Sequence, residues 1–180
     1  MSAIAEAVGR LDFRVFQLLR FYQSPLLDVV MASLSDIAAG AGVWIALALL
    51  IALIQRRRWP AAIQVFLSIA LTIIVTENAA KPFFNRGRPF ESYADTRVYG
   101  FKPTTRSFPS GHAANAGAAA FALTRMAPEG GAIFWLIAFL ISYSRVYLGV
   151  HYPIDVIGGA LIGLAAAKFV IGGTRWSFAD

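Results

Sequence analysis

Long uncharged stretches alternate with short charged interruptions along this chain, and the stretches have the length of membrane-crossing helices. From Ile37 to Ile54 no residue is charged, and Arg56-Arg57-Arg58 closes the run; a second run extends from Trp59 to Thr76, ahead of Glu77, Asn78 and Lys81. A crossing needs about 20 apolar residues, with about 17 as the lower limit. The two runs therefore predict a helical hairpin with a short Arg-rich turn. Residues 111–126, 132–148 and 153–171 predict three further spans, with Pro128-Glu129-Gly130-Gly131 as a tight turn and Tyr152-Pro153 as a restart. Gly172-Gly173 end the last span, and Arg175 lies just beyond.

Residues 3–22 carry a different pattern. Val8, Leu11, Val15, Leu18, Leu19 and Tyr22 recur at helical spacing, with Arg10, Arg14, Gln17 and Arg20 elsewhere on the surface. This predicts an amphipathic helix lying at the lipid headgroups; a tilted first span is the alternative. Glu6, Arg10, Asp12, Arg14 and Arg20 interrupt the stretch, so it does not read as a cleaved signal peptide. Ser24-Pro25 is a break, with Pro25 suited to the first turn of the next helix. The expected fold is an all-α integral membrane helical bundle, a single domain over residues 1–180. It has five transmembrane helices, or six if the N-terminal helix crosses.

Composition supports lipid as the solvent. Apolar residues make up 58% and charged residues 14% of the 180 residues, whereas a soluble domain carries about 25% charge. With no Cys, disulfides and thiolate metal sites are excluded. The net charge of +6 is clustered, and the clusters sit between membrane-length runs. Anionic lipid headgroups or a phosphate substrate explain them better than nucleic acid. The positive-inside rule places Arg56–Arg58 in the cytoplasm, which puts residues 81–110 on the external side. That segment holds Lys81, Arg86, Arg88, Arg97, Lys102 and Arg106 against only Glu91 and Asp95. A basic external loop runs against topology preference, so it needs a chemical reason.

Three segments supply one. In Lys81-Pro-Phe-Phe-Asn-Arg-Gly-Arg88-Pro89 the cations are spaced by backbone-restricting residues, and Arg grips two phosphate oxygens with a planar fork; a solvated basic loop is the plainer reading. In Pro109-Ser110-Gly111-His112, Ser110 is placed to cap the following helix. Free N–H groups at Gly111 and His112 would form an anion site there; an ordinary cap is the competing reading. In Ser144-Arg145-Val-Tyr-Leu-Gly-Val-His151-Tyr-Pro153-Ile-Asp155, Arg145 is a charge in an apolar span, costly unless it is used. Asp155 can reach back to His151, fix its tautomer and stabilise its imidazolium; it would also complement a helix dipole. The topology brings both His residues of the chain to one membrane face. One can attack phosphorus while the other protonates the departing oxygen, and Asp155 favours His151 as the attacker. No cluster of carboxylates with metal-ligand spacing accompanies them.

The three segments resemble the type 2 phosphatidic acid phosphatase family, which is related to the vanadium haloperoxidases. Its motifs, Lys-x6-Arg-Pro, Pro-Ser-Gly-His and Ser-Arg-x5-His-x3-Asp, match in order and spacing at Lys81–Pro89, Pro109–His112 and Ser144–Asp155. The resemblance implies a helical bundle with a haloperoxidase-like core, its site near the outer surface. It also implies metal-independent phosphatase chemistry without a cofactor. His151 would form a phosphohistidine, Asp155 would orient it, and His112 would protonate the leaving oxygen and later help activate water. Lys81, Arg88, Ser110, Gly111 and Arg145 would bind the phosphate oxygens. The short chain and the Arg-Gly-Arg-Pro-Phe stretch look like bacterial polyprenyl pyrophosphate phosphatases, which implies the inner membrane, an outward-facing site and undecaprenyl pyrophosphate as substrate. Phosphatidylglycerol phosphate, phosphatidic acid and lipid A phosphates are the alternatives. Phe83, Phe84, Phe90 and Tyr93 are expected to line a path for the lipid, or else to be interfacial aromatics. A transporter of phosphate-bearing molecules would spread intramembrane polar residues over several spans, whereas here they crowd onto one face. A soluble haloperoxidase would not carry continuous apolar runs.

Overall fold

The computed structural model describes residues 3–173, and these are helical with no strand among them. The helices are α1 (Ala3–Leu19), α2 (Pro25–Ile37), α3 (Gly42–Ile54), α4 (Trp59–Ile73), α5 (Lys81–Phe84), α6 (Pro89–Ser92), α7 (Gly111–Met126), α8 (Gly131–Tyr147) and α9 (Pro153–Gly173). Arg175 and the rest of the C-terminal tail lie outside the described residues.

α7 is the axis of the bundle, packed by α4, α8 and α9. Its sequence is mostly Ala and Gly, and ten of its sixteen residues are buried. Small residues let backbones approach: a Cβ on Gly163 of α9 would lie 1.9 Å from the Ala114 carbonyl oxygen, and one on Gly159 would lie 2.4 Å from that of Ser110. This is the small-residue packing of helices in lipid. α4 turns Ala61, Ala62, Val65, Ile69 and Thr72 inward and leaves Ile63, Phe66 and Leu67 exposed. Ser68, Thr72 and Thr76 satisfy their hydroxyls by donating to the carbonyls four residues back, at 2.7, 2.7 and 2.8 Å. The exposed side chains of α8 and α9 include Trp135, Leu136, Phe139, Ile157, Leu161 and Phe169. Outward apolar faces around helices whose backbone bonds are internal are the construction a bilayer requires.

The hydropathy pattern differs from the structure in two places. The uncharged run Ile37–Ile54 is not one helix: α2 ends at Ile37, and Gly40 (φ 67°) and Ala41 (φ 62°) bend the chain by 50° before α3. An apolar run shows how much oil the chain wants, not where it turns. The second difference is in span number. Arg56–Ser92, Pro128–Tyr147 and Pro153–Gly173 are long and apolar enough to cross, and the bent α2–α3 pair would be a fourth crossing. α7, expected to cross on its own, is sixteen residues long, about 24 Å at the α-helical rise. That is shorter than the ~30 Å hydrocarbon layer, and neighbouring helices shield it. α1 presents outward the apolar stripe expected of a helix at the headgroups: Leu11 and Leu18 are 63% and 73% exposed, while Asp12 and Phe16 are buried against the bundle.

The two ends of the bundle are chemically distinct. At one, Arg58 pairs with Glu129 at 2.8 Å, which puts the Arg-rich turn and the Pro128–Gly130 turn together, as the topology requires. At the other, backbone bonds tie the polar segments to one another: Ser107 N–H donates to Arg86 O (2.9 Å), Ser110 N–H to Asp155 O (2.9 Å), and Tyr99 N–H to Leu148 O (3.3 Å).

Candidate active site

A cavity of about 440 Å³ opens at this second end, lined by Lys81, Arg88, Gly111, His112, Arg145 and His151 from the three segments. The remaining two residues singled out in the sequence, Ser110 and Asp155, are fully buried directly behind it.

Lys81 opens α5 after a widened π turn (Ile74–Ala80) at the end of α4. Its ammonium donates to both Glu77 oxygens at 2.6 and 2.8 Å and to Thr105 Oγ1 at 3.1 Å. Arg88 is 1% exposed and its fork is almost fully used. Nε donates to Thr105 O (2.7 Å), Nη1 to Val150 O (2.8 Å), and Nη2 to Thr105 Oγ1 and Arg106 O (3.3 Å each). Such saturation fixes the guanidinium plane. Arg145, projecting from the last turn of α8, donates from Nη1 to Ser35 Oγ; its Nε is buried without a partner, and it forms no salt bridge among the described residues. A buried cation with no carboxylate at salt-bridge distance is costly, and this one faces the cavity, which Asp36 also lines.

Ser110 occupies the N-cap position of α7, but its hydroxyl makes no capping bond and has no partner. The position was legible in the sequence; the bond expected of it is not made. The first N–H groups of α7 follow at Gly111 and His112, and a Cβ at Gly111 would come 3.1 Å from Glu77 Oε1. Glycine here keeps the helix end open to an anion.

His151 sits in the turn between α8 and α9. Gly149 adopts φ 80°, and a side chain there would strike the Arg97 carbonyl at 2.8 Å. The reversal lets the amides of Val150 and His151 both donate to Arg145 O at 3.2 Å. His151 Nε2 lies 3.2 Å from Arg88 Nη1. A guanidinium only donates, so Nε2 is the acceptor and the ring proton sits on Nδ1. Nδ1 faces Asp155 Oδ2 at 3.6 Å, aligned with the carboxylate but beyond hydrogen-bond length. Asp155 is itself held: Oδ2 accepts from Ser107 Oγ (2.5 Å) and Tyr152 N–H (2.9 Å), and Oδ1 from Arg86 Nη1 (2.6 Å). Burial pushes the His151 imidazole down to about 4; the Asp155 carboxylate opposes the shift, and the Arg88 and Arg145 cations add to it.

The comparisons with known proteins establish the family. Residues 61–178 match the model of the PAP2 superfamily. The chain belongs to that superfamily. It is 36% identical over 153 residues to an undecaprenyl-diphosphatase of Sulfolobus acidocaldarius, covering 84% of this chain and 73% of that one. It is 30% identical to a lipid A 4'-phosphatase of Porphyromonas gingivalis, covering 92% and 73%. Among solved structures, Aquifex aeolicus LpxE superposes with a TM-score of 0.77 at 31% identity, covering 90% of this chain and 95% of that one. A bacterial vanadium-dependent iodoperoxidase superposes at 0.75 with 17% identity, covering 97% and 51%, a likeness of fold. This PAP2 chain is therefore a membrane phosphatase with the haloperoxidase-like fold.

Sequence reasoning missed several residues around the candidate site. Glu77, Thr105 and Ser35 touch its cations, and Arg86, Ser107 and Asp12 stand behind Asp155. None has a motif spacing of its own. Of the aromatics expected along a lipid path or at the interface, Phe83 and Phe84 are exposed and packed edge to face, Phe84 also meets Phe108, and Tyr93 stacks on Phe13, while the aromatics lining the cavity itself are Tyr99 and Phe101.

Proposed function

We propose that this chain hydrolyses a lipid phosphate through a phosphohistidine on His151, with undecaprenyl pyrophosphate as its substrate. The carrying observation is the convergence of Lys81, Arg88, Arg145, the α7 N-terminus and two His residues on one cavity. A phosphate there gives the partnerless Arg145 Nε an acceptor and meets the free amides of Gly111 and His112. Arg88 Nη1 donates to the His151 Nε2 lone pair at the cavity wall, and a bound phosphate oxygen takes over that donor to free Nε2 for attack. Nε2 attacks phosphorus, and the P–O bond to the lipid side breaks as His112 gives that oxygen a proton. Asp155 stabilises the imidazolium that bonding to phosphorus creates. Water then attacks the phosphohistidine, His112 takes its proton, and the P–N bond breaks to release phosphate. All atoms and charges are supplied by the chain, the substrate and water, so the proposed reaction needs no metal or cofactor.

The choice of lipid rests on the likeness to an undecaprenyl-diphosphatase. Likeness to a lipid A 4'-phosphatase supports lipid A phosphates as the second reading. On this proposal the protein lies in the inner membrane with residues 81–110 and the site facing outward, and α1 lies along the headgroups. A phosphate-release assay in detergent decides between the lipids. Undecaprenyl pyrophosphate is expected to give the highest kcat/KM in a panel with phosphatidylglycerol phosphate, phosphatidic acid and a lipid A phosphate. A preference for any of the other three would overturn the assignment.

A further inference from the structure

α1 reaches the catalytic turn through a single buried carboxylate. Asp12, with 1% of its side chain exposed, accepts from Arg86 Nη2 at 2.6 Å through Oδ2. Its other oxygen accepts the Ile154 N–H at 3.0 Å, at the start of α9. Arg86 spends its second terminal nitrogen on Asp155, also at 2.6 Å, and lies over the Tyr152 ring at 4.1 Å. Phe16, one turn beyond Asp12, packs against the same Tyr152 ring. A chain of charges thus runs from Asp12 to Arg86 to Asp155 and on to His151 Nδ1.

We propose that Asp12 is a positioning residue for the reaction, preserving the negative charge that Asp155 presents to His151. The reason is electrostatic. An Arg paired to Asp155 alone would neutralise the carboxylate that has to stabilise an imidazolium. A second carboxylate on the far side of Arg86 leaves the trio of Asp12, Arg86 and Asp155 with one net negative charge. The charged groups acting most directly on His151 are otherwise the Arg88 and Arg145 cations, with His112 across the same cavity; Asp36 and Glu77 also line that cavity, Glu77 being paired to Lys81. The excess negative charge supplied through Asp12 is therefore what favours imidazolium formation during attack. Those facing Asp12 are Arg86 and the Ile154 amide, so its charge acts along one line.

This inference rests on His151 being the nucleophile, and its test separates the two. Asp12→Asn removes the charge but keeps an oxygen for the Ile154 amide, so helix capping survives. The expected result is a fall in kcat of about ten-fold or more, with KM within about two-fold of wild type. The acid limb of kcat/KM should move to lower pH, because the imidazolium has lost support. Asp12→Glu, which restores the charge, should recover most of the lost rate. In an Asp155→Asn background, Asp12→Asn should have little further effect, since the carboxylate it serves is gone. Wild-type kcat and an unmoved acid limb in Asp12→Asn would overturn the proposal. So would equal losses with and without Asp155, or a Glu variant as impaired as the Asn one. Turnover by His151→Ala would instead remove the underlying assignment; an inert His151→Ala beside an unaffected Asp12→Asn would remove this inference alone.

Discussion

His151 is set in surroundings that disfavour its charged form, and this has a measurable consequence. Attack requires the neutral ring. With the imidazole lowered to about 4, the ring is neutral through the whole range above that value. The acid limb of kcat/KM belonging to His151 is therefore expected below the ordinary imidazole value of about 6.5. A limb at or above 6.5 that vanishes in a His151 variant would contradict it. The sign for stability follows from the same shift. Between about 6.5 and about 4 the unfolded chain takes a proton that the buried ring resists, so the fold loses stability as pH falls through that window. At this scale the sequence was most informative. Lys81, Arg88, Gly111, His112, Arg145 and His151 were all legible from motif spacing, and all line the cavity. Thr105, Ser35 and Asp12 were not. Their partners lie 24, 110 and 74 residues away, and isolated Thr, Ser and Asp residues have many ordinary uses.

Among the helices, the contact between α7 and α9 sets the site's geometry, because it brings Ser110 against Asp155. Gly159 and Gly163 allow it. At Gly163 even one methyl group would meet backbone, the Ala114 carbonyl at 1.9 Å, and no rotamer change can relieve that. Gly163→Ala is expected to cost about 1–3 kcal/mol, the range for overpacking, and to lower activity by moving Asp155 away from α7. Thermal unfolding in detergent, with phosphate release at a permissive temperature, checks both; unchanged Tm would show that the helices separate freely. Helix positions were largely readable, since α4 follows an uncharged run, α8 and α9 follow apolar runs interrupted only by Arg145 and by Asp155 and Lys168, and Pro25 and Pro153 mark starts. The bend at Gly40 was not, because Ala and Gly there score as apolar whether they continue a helix or break it. The stripe of α1, by contrast, was legible. In lipid the apolar stripe faces solvent, so a pattern that signals burial in a soluble protein marks the exposed face here.

Considered whole, the molecule holds its charge at two ends and oil between them, and the chemistry at one end. Vanadate, which adopts the five-coordinate geometry of phosphorus in flight, is expected to inhibit competitively; indifference to it would argue against a phosphate cradle. EDTA is expected to leave turnover intact, and a loss restored by a divalent ion would contradict the proposed chemistry. The measurement that tests the central claim most directly is rapid-quench trapping with substrate labelled in the terminal phosphate. A base-stable, acid-labile phosphoenzyme is predicted, with the label on His151. It should be absent from His151→Ala, and in His112→Ala both its formation and its breakdown should slow. Label on His112, or turnover by His151→Ala, would contradict the account.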